Sequence, residues 1–420
     1  MANITQRYSM GIRIAFLALA TVVLLAITRA EAAEPPFKIV PGDIPNRGIL
    51  FANHEKIGRS GHGGACLTEC ANGDIIAFYS NVDGEALGGH GTGGWSEYKR
   101  STDGGKTWSE PIVVEYTKKL WEGDEVFSGI VFCATTAPNG TIIATVVRFA
   151  NERWVKQLKP VYLLSRDHGH TWSEPYEFDK EATIEDISMT FNASFVLNGE
   201  IFIMFMGGAL DYCPGLYTLY VSTDNGQSFT KRSTLPFDAR NYYGTASVLD
   251  GGKIIAYSYP FRGRDTEEHD IPYATSTDGG RTWSEVKTTH FAKAIRNPQM
   301  SGKIGDYYFI HGRSGSYSKN AGNLVLYSSK DGIHWDEGVL LMSRAKVRGG
   351  GDCYSANEVI GKYDPKTPNR LLIQSDVSYS GAKVNICHWW IEDIAGAEVG
   401  KSRLRCGICG RGVGAGVVVA

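Results

Sequence analysis

Apolar residues come in short runs broken by turn dipeptides, and the arrangement repeats along the chain. The first unit reads Ala65 to Cys70, the turn Asn72-Gly73, Ile75 to Tyr79, and after a loop Ser96 to Ser101. The same order of strand, turn, strand, loop and strand recurs around Asn139-Gly140, Asn198-Gly199 and Asp250-Gly251, with Gly305-Asp306 at that place in a fifth unit. A sixth unit begins at Asp352 and runs through Leu371 to Ser375 and Val384 to Trp390. Short apolar runs separated by Asn-Gly or Asp-Gly signals predict antiparallel hairpins, hence an all-β chain.

Each of the first five units ends in a common box. Ser101-Thr-Asp103-Gly-Gly105-Lys-Thr107-Trp108 is matched by Ser165 to Trp172 and Ser276 to Trp283, and more loosely by Ser222 to Phe229 and Ser329 to Trp335. Their Asp residues (103, 167, 224, 278 and 331) lie 64, 57, 54 and 53 apart, the length of one propeller blade. Asp and Ser side chains bond turn backbone, Gly supplies positive φ, and the Trp is expected to fold into its own blade's core. The boxes therefore close hairpins between outer strands, remote from the axis. A strand near Phe37 to Val40 would complete the sixth unit and close the ring, as propellers must to hide their edges. Six four-stranded blades follow; a strand pair hidden in residues 112 to 128 would make seven.

Composition narrows the class. Basic and acidic residues nearly cancel, 43 against 45, which argues against a nucleic-acid partner. Fifty glycines with 21 Tyr and 9 Trp fit tight turns between aromatic-rich strands. Arg7 and Arg13, the apolar stretch Ala15 to Ile27, and Ala30-Glu31-Ala32 read as a secretory signal over residues 1–32. That stretch is shorter than the roughly 20 residues a bilayer needs, so cleavage and export to the periplasm or medium are expected, with no stable membrane insertion. Residues 33–395 form the propeller, and 396–420 a disordered tail. Eight Cys in an exported chain permit disulfides without fixing connectivity. Cys406 and Cys409 lack a second ligand pair at zinc spacing, so neither metal nor cofactor is expected.

Repeated S-x-D-x-G-x-T-W boxes on a blade period resemble those of the sialidase (neuraminidase) superfamily over most of the mature chain. The resemblance implies that the innermost strand of each blade starts at the central pocket. The residues there are Arg59 to His62, Glu125 to Ser128, Ser188 to Asn192, Arg240 to Tyr243, Arg296 to Gln299 and Asp352 to Tyr354. Such a polar and aromatic ring suits a sugar. Sialidases grip a carboxylate with three arginines and use a Tyr nucleophile beside a Glu, with an Asp acid/base. Tyr354, in Gly351-Asp352-Cys353-Tyr354-Ser355, resembles the nucleophile segment. The family's Glu falls near Tyr243 and its second Arg near Tyr259. Its first Arg falls at His62-Gly63-Gly64 beside Arg59, and its third at Ala321-Gly322, with Arg296 and Arg313 nearest. The acid corresponds to Asp83, or second to Glu85, in a Gly-rich loop that also carries His90 and could act as a lid.

Three functions fit these residues. In a sialidase-like exo-glycosidase releasing a terminal acidic sugar, Asp83 is acid/base and Tyr354 the nucleophile. Arg59, His90, Arg240, Tyr243, Arg296 and Arg313 then bind substrate. A phenol needs a carboxylate neighbour to act at neutral pH. Asp352 is the local candidate and Glu125 could reach from another blade. Glu358, roughly 13 Å along a strand at about 3.3 Å per residue, is too far. In a uronate-acting polysaccharide lyase, His62 is the base, Arg59 neutralises the carboxylate, and Tyr243 or Tyr354 protonates the leaving oxygen. In a non-catalytic propeller the same ring only recognises a glycan. A glycan or glycoconjugate is the partner in all three.

Overall fold

The computed structural model describes residues 37–40, 48–63, 66–84, 93–123, 127–150, 156–207, 215–260, 267–314, 323–343, 354–364, 368–378 and 383–393. Six antiparallel sheets make a six-bladed β-propeller. Blade one comprises β3 (Cys66–Glu69), β4 (Ile75–Val82), β5 (Gly94–Ser101) and β6 (Ile112–Val113). Blade two comprises β7 (Phe127–Thr136), β8 (Ile142–Ala150), β9 (Lys156–Ser165) and β10 (Tyr176–Glu177), and blade three β11 (Ser194–Leu197), β12 (Glu200–Met206), β13 (Tyr217–Ser222) and β14 (Thr230–Thr234). Blade four holds β15 (Tyr242–Leu249), β16 (Lys253–Tyr259), β17 (Asp270–Ser276) and β18 (Lys287–His290). Blade five holds β19 (Arg296–Ile304), β20 (Tyr307–Ser314), β21 (Asn323–Ser329) and β22 (Val339–Met342). Each of these blades is a meander in chain order, and tight turns with a glycine at positive φ, such as Gly73 at 87° and Gly140 at 87°, join the first strand to the second.

Internal contacts divide the chain into Met1–Lys38 and Ile39–Ala420. The larger unit holds the first five blades and, in the sixth, β23 (Ser355–Ile360), β24 (Arg370–Ser378) and β25 (Val384–Asp393). The outer edge of that sheet is β1 (Phe37–Val40), of which Ile39 and Val40 belong to the larger unit. A further strand, β2 (Ile49–Ala52), also pairs with β25, Ile49 opposite His388 and Leu50 opposite Cys387. The ring thus closes with N-terminal strands on a C-terminal sheet, as the pattern predicts. Residues 112–128 hold β6, an amphipathic helix α2 (Glu115–Glu122) and the start of β7, so the seventh blade is excluded. A short helix α1 (His54–Ile57) precedes blade one. Among the described residues no helix is long and apolar enough to cross a membrane.

The five boxes follow the third strand of their blades and share one hydrogen-bond pattern. Asp103 Oδ1 accepts from the backbone of Lys106 and Thr107 at 3.0 and 2.9 Å, its Oδ2 accepts from Thr107 Oγ1 at 2.6 Å, and Ser101 Oγ accepts from Gly105 N at 2.8 Å. In the shorter fifth box His334 Nδ1, 2.6 Å from Asp331 Oδ2, takes the place of the threonine hydroxyl. One expectation is corrected: the box aromatic packs on the preceding blade rather than in its own. Trp108 lies against Phe51 and His388 of the closing seam, Trp172 against Phe78 and Tyr98 of blade one, and Trp335 against Tyr257 of blade four. The box glycines touch the same neighbours. A Cβ on Gly105 would stand 2.3 Å from Trp390, on Gly169 2.3 Å from Ile76, and on Gly280 2.4 Å from Leu219. The reason is geometric: the turn after a third strand overhangs the side of its blade, where the preceding blade offers the available apolar surface. Each box is therefore a rivet between blades.

Cys66, Cys70 and Cys133 are buried free thiols, so none of these three forms a disulfide.

Candidate functional site

At the axis the starts of the inner strands bring together residues that are far apart in sequence. Tyr354 stands just before β23 and is half-buried; its hydroxyl lies 2.9 Å from the hydroxyl of Tyr243 in blade four. Tyr243 adopts φ 42°, rare for a bulky residue, at a bulge between Tyr242 and Gly244. Gly244 has no room for a side chain, since a Cβ there would sit 2.8 Å from Met204 and 2.9 Å from Tyr217. Tyr217 Oη donates to the Tyr243 carbonyl at 3.1 Å and holds the bulge in place. Phe191, from blade three, stacks on Tyr354 and meets Tyr243 edge-on.

Two arginines flank the phenols. Arg296 and Arg313 are cross-strand partners on β19 and β20. The Arg296 guanidinium lies 5.5 Å from the Tyr243 ring and 6.0 Å from the Tyr259 ring, and that of Arg313 lies 5.4 Å from the Tyr354 ring, within cation–π reach. Arg313 and Tyr243 are buried, whereas Arg296 and Tyr354 are half-exposed. The floor is thus fixed, and one guanidinium and one phenol reach its surface.

His62 is fully buried and meets the Tyr354 ring edge-on at 5.2 Å. Its Nδ1 lies 3.5 Å from Asp376 Oδ2, which also accepts from Gly63 N at 3.1 Å. The other oxygen of Asp376 accepts from Tyr354 N at 2.7 Å, and Asp376 N donates to the Tyr354 carbonyl at 3.2 Å. One buried carboxylate on β24 therefore ties the approach to blade one to the start of β23. Sequence reasoning missed Asp376; the available signal was an acidic residue inside the apolar run of β24. It also missed Glu268, a buried carboxylate that acts electrostatically on Tyr259 together with Arg296.

Blade one contributes a second group. Arg59 donates to Asn81 Oδ1 and to the Asn81 carbonyl at 2.7 and 2.8 Å, and its guanidinium stacks 4.5 Å from the Trp95 ring. Burial lowers its pKa from the usual arginine value, while Asp83 and Glu97 pull it back up. Asp83 Oδ1 accepts from Gly84 N at 3.0 Å and Gly93 N at 3.3 Å, closing the neck of the loop that contains Glu85 and His90. Lys383 Nζ donates to the carbonyls of Asp83 and Gly84. Arg240 does not join either group: it is four-fifths exposed and paired with Asp238, Nη2 to Oδ2 at 2.5 Å. Glu358 turns away to Lys362 and Glu69 N. Glu85, His90, Glu125, Asp352, Cys406 and Cys409 lie outside the described residues. Among the described residues no cluster of His, Cys, Asp or Glu is arranged to hold a metal ion.

This geometry belongs to a chain whose family is shown by sequence. Residues 130–384 match the BNR repeat-like domain and residues 99–110 the BNR/Asp-box repeat, so the chain belongs to the BNR repeat-like family, within the sialidase-like propellers. Comparison with curated proteins gives no match. Among solved structures, the Hadza microbial sialidase Hz136 superposes with a TM-score of 0.62 at 15% identity, over 83% of this chain and 69% of that one. A Dyadobacter fermentans protein of unknown function gives 0.62 at 14% identity, over 83% and 100%. The intramolecular trans-sialidase from Ruminococcus gnavus, in complex with oseltamivir carboxylate, gives 0.59 at 11% identity, over 84% and 99%. At such identities the likeness is one of fold.

Proposed function

We propose that this protein is an exported, sialidase-like exo-glycosidase that releases a terminal acidic sugar from glycans, with Tyr354 as the attacking group. The observation that carries the reading is the half-exposed Tyr354 hydroxyl, fixed 2.9 Å from Tyr243 Oη between the guanidiniums of Arg296 and Arg313. Two cations beside two phenols favour both an anionic ligand and negative charge developing on a phenol oxygen. Tyr354 Oη attacks the anomeric carbon and gives up its own proton to solvent, Arg296 and Arg313 offset the sugar's carboxylate, and Asp83 protonates the leaving oxygen as the glycosidic bond breaks. Solved relatives named as sialidases support the reading at the level of fold. The apolar segment Ala15 to Ile27, followed by Ala30-Glu31-Ala32, supports export.

Burial weighs against the lyase alternative. A histidine base must touch the proton that it removes, and His62 lies fully enclosed behind Tyr354. The test is a screen of sialyl, uronyl and neutral aryl-glycosides. Cleavage of acidic but not neutral substrates is expected. Unsaturated uronate in the products would establish the lyase instead, and tight glycan binding without turnover would establish a lectin-like propeller.

A further inference from the structure

We infer that the face of the propeller opposite Tyr354 carries a second, non-catalytic site, whose ligand is a neutral pyranose or a short neutral oligosaccharide. The inference goes beyond the glycosidase reading and does not rest on it. The inner strands β15, β19 and β23 begin beside Tyr243, Arg296 and Tyr354 and therefore end on the opposite face. A cavity of about 450 Å³ lies at that end, with Val248 of β15, Gly302 of β19, Val359 of β23 and Thr136 of β7 in its wall. Val359 comes five residues after Tyr354, roughly 16 Å along an extended chain at about 3.3 Å per residue.

A buried polar layer forms the inner end of the cavity. Asn357 Nδ2 donates to His311 Nε2 at 2.9 Å, which leaves His311 Nδ1–H to donate to Ser355 Oγ at 2.9 Å. Asn192, held at φ 50°, donates from Nδ2 to the Asn357 carbonyl at 3.1 Å. Both asparagines line the cavity, and with their amide nitrogens engaged each keeps its Oδ1 as an acceptor for a ligand hydroxyl. The mouth is fixed from blade one. The buried carboxylate of Glu69 accepts from Gly361 N at 2.7 Å and Lys362 N at 2.9 Å, with Gly361 at φ 104°, and so holds the turn that carries Lys362 and Tyr363. A wall set in place before the ligand arrives reduces the ordering cost of binding.

The lining selects the class of ligand. Lys362 Nζ is paired with Glu358, so the cation and anion of the wall cancel and neither charge is left to favour an ionised ligand. Phe195 packs one face on Phe202, centroids 5.0 Å apart, and lines the cavity, while Tyr363 is 39% exposed at the mouth. Amide oxygens beside aromatic surface match the hydroxyls and the apolar face of a sugar ring. An alkyl chain would leave the amide oxygens without donors.

The test is a saturation-transfer NMR titration of the full chain with glucose, galactose, N-acetylglucosamine, lactose and glucuronate. The proteins are the wild type, Ser194→Trp, Tyr363→Ala and Arg296→Ala, each checked for its unfolding midpoint. Ser194 is a half-buried cavity residue on β11, so an indole there fills the space. At least one neutral sugar should bind the wild type with a Kd on the order of 1 mM, as befits a ligand of few atoms. Affinity should fall about tenfold or more in Ser194→Trp and severalfold in Tyr363→Ala, and stay the same in Arg296→Ala, which alters only the other end. Glucuronate should bind more weakly than glucose. If Ser194→Trp does not fold, the surface variant Tyr363→Ala carries the test. Failure of every neutral sugar to bind the wild type overturns the inference. Binding unaffected by both cavity variants also overturns it, and loss in Arg296→Ala would place the sugar beside Tyr354. Glucuronate bound as tightly as glucose overturns the neutral assignment. The glycosidase reading turns on cleavage and stands or falls apart from these outcomes.

Discussion

Asp376 shows how much a single residue can carry in this fold. Its two oxygens accept from Tyr354 N and Gly63 N and approach His62; the carboxylate and the imidazole are fully buried and Tyr354 half-buried. Replacing it by Ala leaves one buried and one part-buried N–H group without an acceptor, and a buried loss costs on the order of 1 to 3 kcal/mol. We expect Asp376→Ala to lose at least about 2 kcal/mol by urea unfolding, and Asp376→Asn, which keeps one acceptor oxygen, to lose less. Unaltered stability in Asp376→Ala would show that these hydrogen bonds contribute nothing. The residue was not legible beforehand because its role depends on pairing across the ring, where β23 and β24 meet the approach to blade one. Tyr354, Tyr243, Arg296 and His62 were legible as a set because each stands at or just before the start of an inner strand, and in a propeller those starts converge; Arg313, near the end of β20, joins them as the cross-strand partner of Arg296. Arg240 shortly precedes β15 too, yet turns outward to Asp238: position near a strand start does not determine side-chain direction.

Among the elements, the box is the most readable, since its hydrogen bonds close within eight residues and need no tertiary information. What it packs against was not readable, because the neighbouring blade enters only in three dimensions. Trp283 Nε1 donates to Ser233 Oγ on β14 of the preceding blade at 2.9 Å, and Gly280 abuts Leu219 of β13. Trp283→Ala should cost about 2 to 3 kcal/mol, below the ~3–5 of a fully buried aromatic because the ring is half-exposed. KM and kcat of the surviving folded protein should be unaltered. A change in turnover without a change in unfolding midpoint would contradict the rivet role. The N-terminal strand was also legible, because a sixth unit short of one strand in a closed ring demands a partner from the other end of the chain.

For the whole molecule, the closing seam carries a pH dependence. His54 on α1 and His388 on β25 are fully buried there, with Lys99 adding like charge, and burial lowers their pKa values to about 4 and about 3. His311, buried in blade five and bonded to Ser355 and Asn357, is lowered by burial to about 3. Each is neutral when folded and takes up a proton near pH ~6.5 when unfolded. Their stabilisation is therefore complete above about pH 6.5 and declines as pH falls toward 4, by roughly 1.4 kcal/mol per pH unit for each histidine. The box aspartates respond later: hydrogen bonds from Thr107 and Ser101 hold Asp103 at about 2, so its contribution is present above about pH 4 and lost as pH falls toward 2. Urea midpoints should fall steeply between pH 6.5 and 4, and a flat profile there would contradict the buried neutral histidines.

The central claim is that a phenol at the axis forms the bond to sugar. It is tested most directly by rapid quenching of the protein during turnover of an aryl glycoside of an acidic sugar, followed by peptide mass mapping. A glycosyl adduct on the peptide containing Tyr354, absent in Tyr354→Phe, is the predicted result. Turnover with no covalent adduct on any tyrosine would contradict the account.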